Sequence, residues 1–288
     1  MWQNSYDGQA SLYLVPTPIG NLDDITLRAI KIFEEVEVIF SEDTRVTLVL
    51  LNHLCIKKEL ISLHEHNEDI MKEKVLNFLK NGKSVALVTD RGTPIISDPG
   101  YKTVKFVAEN KFNVIALPGA SAFIPALIVS GICPQPFLFY GFLDSKKGKK
   151  IKELNELKLK KETLIFYEAP HRITETLSLI LEIFGDRFVS VSREISKKFE
   201  SVYRGKISEL LNNLTNIKGE FVIIVSGYDG NLFMNDLSVI DSVNLYIDNG
   251  LSVNEAIKIV AKEKNIPKSD VYREYHIGGR DESNNRLR

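Results

Sequence analysis

Residues 84–100 read SVALVTDRGTPIISDPG, and this stretch decides the expected fold. It begins with the apolar run at 85–88, which is the pattern of a strand buried on both faces of a sheet. Glycine and proline then break the pattern at 90–94 and again at 97–100, which predicts a fixed loop of exposed amides and aimed side chains. Ligands bind where such a loop follows a buried strand in an open α/β sheet. The stretch therefore predicts both an α/β fold and a ligand site.

Strand and helix patterns alternate on either side of this stretch. The strand patterns of the first half cover residues 12–15, 36–40, 60–64, 85–88 and 114–117. Helical patterns lie between them, and Asp24 is placed to cap the first. Such alternation predicts a mostly parallel sheet with helices on both faces.

A second α/β unit and a short helical region follow. The strand patterns of this unit cover 137–141, 163–167, 188–192 and 221–225, with an added antiparallel strand at 201–206. Residues 228–235 have the composition of a linker. Beyond it, a Ser252–Glu255 capping box and a possible cap at Ser269 predict a small helix-turn-helix-like module, with a disordered tail from Gly278.

Polar motifs follow each of the first five strand patterns. They are PTPIGN (16–21), SEDTR (41–45), HEHN (64–67), the loop at 90–100 and PGASA (118–122). The ends of parallel strands meet at one edge of a sheet, so five motifs far apart in sequence are expected to line one crevice.

Composition and missing motifs exclude several classes of protein. No GxGxxG follows the first strand and no GxxxxGK[ST] occurs, so the common dinucleotide and P-loop sites lose their main support. Cys55 and Cys133 lack metal-site spacing, which fits a reducing compartment. Neither a signal peptide nor an apolar stretch of roughly 20 residues is visible. We therefore expect a cytoplasmic protein without a membrane segment.

Several motifs allow two interpretations each. Asp90 and Asp98 suit an amine or ribose hydroxyls, although Asp98 is equally placed to cap the next helix. The PGASA turn offers amides to a ligand or simply packs a strand against a helix. His64 and His66 share one face of an extended segment, but no third ligand is evident, so we expect substrate contact and no metal.

The second unit carries two further motifs with open interpretations. At the end of its second strand, His171 suits proton transfer and Arg172 suits phosphate, unless this segment only caps the next helix. A basic run includes Lys146, Lys147 and Lys149 and continues to Lys152. Such a run is either a solvated face or a track for a phosphate backbone.

Taken together, the motifs resemble a known family. They are VPTPIGN (15–21), SEDTR (41–45), LHEHN (63–67), VTDRGTPIISDPGY (88–101), LPGASA (117–122), FYGFL (139–143), IFYEAPHR (165–172), SREISK (192–197) and KGEFVIIV (218–225). In this order they are similar to the ribosomal RNA small subunit methyltransferase I branch of the tetrapyrrole-methylase (class III) superfamily. The resemblance implies two α/β domains, 11–118 and 119–228, and a helical module at 235–277.

The resemblance also implies an activity. Members bind S-adenosylmethionine in a folded conformation between the two domains of the chain, and they usually form homodimers. They transfer its methyl group to the ribose 2′-oxygen of a cytidine in the decoding region of 16S rRNA. The positions implied to contact the cofactor are Pro18, Gly20, Asp90, Thr93, Ser121, Ala122, Phe166 and Tyr167. Arg91 stands where the family commonly has a small residue, and we expect it to pair with Asp98 or to reach toward RNA.

Methyl transfer to a hydroxyl requires alignment of the reactants and removal of a proton. We hypothesise that Glu42 or Asp43 is the general base, with His171 as the next candidate. Arg45 and Arg172 are expected to place phosphates. The nucleotide pocket is assigned to His64, His66 and Asn67. We expect the helical module and the lysines Lys146, Lys147 and Lys149 to contact the surrounding rRNA in the small ribosomal subunit.

Two other functions remain open from the sequence. One is a methylase of a small tetrapyrrole or a similar metabolite, for which the basic run and the helical module are incidental. The other is a non-enzymatic RNA- or DNA-binding protein that uses the helix-turn-helix-like region. The second leaves the five convergent motifs without a role.

Overall fold

The structure is a computed structural model that describes residues 3–5, 7–214, 218–229 and 238–283, with side chains described as far as His276. Its first sheet consists of β1 (Ser11–Leu14), β2 (Val38–Ser41), β3 (Glu59–Ser62), β4 (Val85–Val88) and β5 (Asn113–Ala116). All pairings are parallel, in the order β3-β2-β4-β1-β5. The predicted parallel sheet is confirmed, and β4, which is buried throughout, lies at its centre.

Helices cover both faces of this sheet. They are α1 (Leu27–Glu35) and α2 (Thr44–His53) on one face, and α3 (Glu68–Lys80) and α4 (Tyr101–Glu109) on the other. Each contributes apolar side chains to a core against the strands, which is where most helical stability comes from in proteins. The prediction that Asp24 caps α1 is wrong. Asp24 ends a short 3-10 turn, and the hydroxyl of Thr26, directly before the helix, accepts from the Ala29 amide.

The second sheet consists of β6 (Phe137–Phe142), β7 (Thr163–Glu168), β8 (Phe188–Arg193), β9 (Ser201–Lys206) and β10 (Phe221–Val225). Its order is β6-β7-β10-β8-β9. Only β6 and β7 pair in parallel, and the antiparallel β9 strand is as predicted. One face packs against α6 (Lys147–Leu157), α7 (Ile173–Phe184) and α8 (Ile207–Asn213). The other packs against α5 (Phe123–Val129).

Three helices form the C-terminal module: α9 (Val239–Asp248), α10 (Val253–Glu263) and α11 (Lys268–Ser283). They surround a small core that includes Val243, Val260 and Val271. The capping box of Ser252 and Glu255 is confirmed. None of the helices among the described residues is long and apolar enough to cross a membrane.

Three expectations for this region need correction. Ser269 lies inside the first turn of α11, one residue after the helix begins, so it is not the residue before it. The backbone of α11 continues through Gly278 to Ser283, so the disordered tail is wrong for those residues. Tyr228 is buried, and its hydroxyl lies 3.4 Å from that of Tyr246, so it anchors the module instead of starting a linker. Residues 230–235 of that linker lie outside the described residues.

Candidate functional site

A cleft with a volume of about 330 Å³ lies between the two sheets. One wall comes from the loops after β1, β4 and β5. The other comes from the ends of β6, β7 and β10 and from the loops after β7 and β8. This volume lies within the range of about 300–1,000 Å³ that small-molecule sites occupy. Three of the five strand-end motifs therefore converge on this cleft as predicted, and the second domain supplies the remaining lining residues.

Hydrogen bonds join the strand-end loops into one framework. The backbones of Thr17 and Gly92 exchange two hydrogen bonds of 2.9 Å, the Asp43 amide donates to Asp90 Oδ1 at 2.9 Å, and the Thr93 hydroxyl donates to the Ala120 carbonyl at 2.9 Å. Gly92 has φ +85° and lies close to the Ile19 side chain. Only glycine adopts this conformation without cost. The loop after β4 is therefore rigid and is tied to three neighbouring loops.

Asp98 is the carboxylate that the first domain contributes to the lining of the cleft, beside Glu168 and Glu220 of the second domain. It is half-buried, and burial raises its pKa to about 6, with further increases from the negative charges of Glu42 and Asp90 and a partial offset from the Thr89 hydroxyl. The same hydroxyl donates to Glu42 Oε2 at 2.9 Å. The interpretation of Asp98 as a helix cap is wrong, because Gly100 precedes α4 and no side chain caps that end. Asp98 can therefore accept a proton near neutral pH.

Four of the eight residues expected to contact the cofactor line this cleft. They are Thr93, Ser121, Ala122 and Tyr167. Burial raises the pKa of Tyr167 to about 12, and its hydroxyl is held by backbone amides at the start of α5. Asp90 is not among the residues that line the cleft, and its carboxylate accepts from the Asp43 amide at 2.9 Å.

Three further positions expected at the cofactor lie elsewhere. Phe166 is fully buried in the core beneath α6 and α7, because neighbouring residues of a strand point to opposite faces and Tyr167 occupies the cleft face. Pro18 belongs to the loop after β1 and is buried. Gly20 is exposed and lies directly against the Lys197 side chain of the other domain. A direct cofactor contact by Phe166 is therefore wrong.

The proposed bases Asp43 and His171 are poorly placed. Asp43 caps α2, since its carboxylate accepts from the Arg45 amide, and it also pairs with the Arg45 guanidinium at 2.6 Å. These bonds lower the pKa of Asp43 to about 2. His171 is exposed in the turn before α7 and does not line the cleft. Glu42 does not line the cleft; it accepts from the Thr89 hydroxyl at 2.9 Å, and its charge helps to raise the pKa of Asp98.

The two arginines expected to place phosphates differ in their exposure and in their partners. The Arg172 guanidinium donates to the carbonyls of Leu143 and Asp144 at 2.6 and 3.1 Å, and it lies 3.2 Å from Glu168. It is used inside the protein to hold the loop after β6, which corrects the expectation of a phosphate contact. Arg45 has a side chain that is 89% exposed, so it remains available to a partner.

The loop after β3 is braced by its own polar groups. Asn67 accepts from the His64 amide at 2.9 Å and donates to the Ser62 carbonyl at 3.0 Å. The rings of His64 and His66 meet edge to face, with centroids 5.9 Å apart. None of these side chains lines the cleft. In the described part of the chain, no group of three or more His, Cys, Asp or Glu side chains is placed to hold a metal ion.

The basic run is divided between surface and core. Lys146, Lys147 and Lys149 are exposed at the start of α6, and Lys149 lies 3.3 Å from Asp144. Lys150 is completely buried and pairs with Glu175 at 2.9 Å and the Thr176 hydroxyl at 3.0 Å. Lys150 therefore does not belong to the surface run, because helical periodicity turns it into the core.

Sequence reasoning missed the contacts that cross the cleft. Arg91 pairs with Glu220 of the second domain at 2.6 Å and not with Asp98, which was one of the two expectations for it. Glu220 also pairs with Lys197 at 2.6 Å. Phe142 lines the cleft as well and had no assigned role. Phe142, Lys197 and Glu220 lie in the motifs FYGFL, SREISK and KGEFVIIV, which marked these segments as candidates. The sequence does not indicate which partners these side chains contact.

The family model for tetrapyrrole (corrin/porphyrin) methylases matches residues 11–211. A protein of Bacillus subtilis (strain 168) named ribosomal RNA small subunit methyltransferase I is 47% identical over 286 residues, which cover 96% of this chain and 98% of that protein. A protein of the same name from Halalkalibacterium halodurans is 44% identical over 284 residues, covering 95% of this chain and 98% of that protein.

Solved structures with the same fold are more distant in sequence. Uroporphyrin-III-C-methyltransferase from Thermus thermophilus superposes with a TM-score of 0.53 at 18% identity, covering 76% of this chain and 94% of its own. Cobalt precorrin-4 methyltransferase gives a TM-score of 0.56 at 16% identity, covering 78% and 98%. These likenesses confirm the predicted fold class.

Proposed function

Because this chain belongs to the ribosomal RNA small subunit methyltransferase I family of tetrapyrrole methylases, we propose that it methylates the rRNA of the small ribosomal subunit. We further propose that the methyl group goes from S-adenosylmethionine to the ribose 2′-oxygen of a cytidine in the decoding region of 16S rRNA. The observation that carries the proposal is 47% identity across 96% of the chain. The tetrapyrrole enzymes cover only about three-quarters of it.

The cleft fits S-adenosylmethionine by size and by chemistry. Its volume of about 330 Å³ suits a small molecule, and apolar walls beside Tyr167 suit a purine ring. The hydroxyls of Thr93 and Ser121 suit ribose and amino-acid groups, and the carboxylate of Asp98 suits a cation. When bound, the cofactor supplies an electrophilic methyl group on a sulfonium sulfur.

We assign proton removal to Asp98. It faces the cleft, and its raised pKa of about 6 makes it a stronger base than an ordinary carboxylate while it stays ionised at neutral pH. Burial is the main cause of the raised pKa, and the charges of Glu42 and Asp90 add to it. The rigid loop after β4 positions the carboxylate, and alignment of this kind contributes several kcal/mol to such reactions.

We assign rRNA contact to the surfaces around the cleft. Arg45 and the exposed lysines of α6 present positive charge, and such charge attracts a phosphate backbone. His64 and His66 remain proposed nucleotide contacts at the end of β3. A homodimer in solution is also proposed, and sedimentation velocity of the purified protein tests it.

Methylation of small ribosomal subunits tests this function. The purified protein is incubated with radiolabelled S-adenosylmethionine and subunits that lack the modification, and the RNA is digested to nucleosides. A labelled 2′-O-methylcytidine is the expected product. Label on another nucleoside overturns the assigned atom, and cofactor binding without label in RNA favours the small-tetrapyrrole methylase. Failure of the cofactor to raise the melting temperature removes the enzyme class altogether.

A further inference from the structure

Phe142 is a large apolar side chain exposed at the rim of the cleft. It is 52% exposed, and its ring centroid lies 5.5 Å from that of Tyr167. Tyr167 is held by backbone amides at the start of α5, whereas one side of Phe142 is open to solvent. An aromatic face left open at the rim of a binding cleft is available to a ligand.

A β-bulge turns Phe142 toward the cleft. Leu138 and Tyr140 pack into the helical core, so regular alternation along β6 would send Phe142 to that core too. The pairing with β7 instead shifts between Phe139 and Gly141, and Phe142 pairs with Tyr167. Bulges near functional sites commonly re-aim a side chain in this way.

Gly141 makes this bulge possible. Its φ is +83°, a left-handed conformation that other residues adopt only at a cost. An added Cβ would also lie 3.1 Å from the Ser97 hydroxyl of the first domain. The chain thus interrupts a regular strand, with a glycine at the point required, and the result is an exposed phenylalanine.

The surroundings of Phe142 favour an RNA base as its occupant. Lys146, Lys147 and Lys149 are exposed and begin only four residues further along the chain, at the start of α6. An aromatic face beside a cluster of cations is the usual site for unpaired RNA, because bases stack on the ring and phosphates meet the lysines. Sequence-specific recognition of RNA mostly targets unpaired nucleotides whose bases are splayed out and stack on aromatic side chains.

We propose that Phe142 stacks on the unpaired base of the target nucleotide, while the exposed lysines at the start of α6 contact its flanking phosphates. This inference rests on the proposed function and adds the residue that holds the base. Stacking at the rim orients the ribose toward the interior of the cleft, where Asp98 lies. The side chain thereby selects a flipped nucleotide over a paired one.

Substitutions of Phe142 in the full-length protein test this role. Phe142→Ala is expected to lower kcat/KM for small subunits about 10- to 100-fold, which corresponds to the stacking of one base. Phe142→Trp is expected to keep activity within about threefold, and Phe142→Leu to lose most of it, since stacking needs a ring. The dissociation constant for S-adenosylmethionine, measured by calorimetry, is expected to stay within about twofold. Phe137→Ala, at the other end of β6, is the matched control and is expected to behave as wild type.

Each other outcome has a distinct meaning. An active Phe142→Ala or a fully active Phe142→Leu overturns stacking while leaving the proposed function intact. A tenfold loss of cofactor affinity in Phe142→Ala assigns the ring to the cofactor instead. A wild-type protein that labels no rRNA overturns the proposed function, and the stacking role falls with it.

Discussion

At the scale of single residues, the cleft is organised around a carboxylate whose pKa is set by its surroundings. Asp98 sits in a half-buried position that disfavours its charged form, and Glu42 and Asp90 add like charges nearby. Asp90 and Asp98 belong to one loop and Glu42 belongs to the SEDTR motif, so the three carboxylates come together only through the sheet. The proposed base is therefore distinct from the two carboxylates that help to raise its pKa.

Turnover should depend on the ionisation of Asp98. Because a base must be deprotonated, we expect kcat to rise with pH through about 6 and to level off above it. Asp98→Asn should lower kcat about 100-fold or more at saturating cofactor. Glu42→Gln removes one negative neighbour, so it should move the acidic limb to lower pH and keep the maximal rate. Equal loss of activity in both variants would return the role of base to Glu42.

Asp98 should also cost the protein stability at neutral pH. Its folded pKa of about 6 lies above the ordinary 3.8, so the native state holds the proton more tightly than the unfolded state does. Stability from this group is present below about pH 4 and is lost as pH rises through about 6. Asp98→Asn should therefore raise the melting temperature more at pH 7.5 than at pH 4. Calorimetric melting at both values checks this, and equal shifts would contradict it.

Phe166 and Tyr167 are neighbours in β7 whose rings lie on opposite faces of the second sheet. Phe166→Leu should reduce the free energy of unfolding by about 1 kcal/mol and leave cofactor affinity unchanged, because its ring packs in the core. Tyr167→Leu should weaken cofactor binding, since its ring faces the cleft. Urea unfolding and calorimetry of both variants distinguish the two. Loss of cofactor affinity in Phe166→Leu with unchanged unfolding would reverse the assignment.

At the scale of elements, local breaks in regular structure position the site. The bulge in β6 turns Phe142 outward, the loop after β4 is fastened to three neighbours, and Arg91 reaches Glu220 across the cleft. The Arg91–Glu220 pair is more than half exposed, and exposed pairs contribute only about 0–1 kcal/mol. The framework thus rests on backbone hydrogen bonds more than on this ion pair.

Gly141→Ala tests the bulge directly. A non-glycine residue in the left-handed region costs about 1–2 kcal/mol, and the new Cβ would crowd the Ser97 hydroxyl. We expect the free energy of unfolding to fall by that amount and methylation of small subunits to fall further than cofactor affinity does. Gly148→Ala, at an exposed helical position with open space, is the control and should be neutral or stabilising. No change in Gly141→Ala would show that the bulge tolerates a side chain.

At the scale of the whole molecule, two sheets enclose the cleft and a helical module extends the surface beyond it. The module is joined to the second domain through buried Tyr228, which meets Tyr246, and Tyr246 in turn donates to Glu263. A wide groove of about 920 Å³ runs beside α10, and charges of both signs line it: Lys161, Lys258 and Lys262 with Asp229, Glu255 and Glu263. Lys258 and Lys262 are exposed on α10, so the module presents these two cations to a partner.

Reversal of charge on the module should weaken only the reaction on rRNA. Lys258 and Lys262 lie one turn apart and are exposed. The double variant Lys258→Glu, Lys262→Glu should therefore lower kcat/KM for small subunits. The slope of log kcat/KM against log salt concentration should become shallower by about two, which corresponds to the loss of about two phosphate contacts. Cofactor affinity should not change. Lys31→Glu on α1 is the control. Wild-type kinetics in the double variant would remove the module from the RNA surface.

The sequence by itself determined the order of strands and helices and the family, because burial and turn residues leave local patterns. The runs at β4 and β10, the box of Ser252 and Glu255, and the position of the loop at 90–100 were all readable this way. Misplaced boundaries, as at Asp24, arose where several capping residues stand within three positions.

Only the tertiary structure decided which side chains meet in the cleft. The pairing of Arg91 with Glu220 spans 129 residues, the burial of Lys150 depends on the face that α6 turns inward, and Phe142 faces the cleft because of one bulge. The use of Asp43 as a cap, with Asp98 left facing the cleft, was likewise hidden. Local patterns report whether a residue is buried, whereas its partners depend on how distant elements pack, and no short stretch of sequence carries that information.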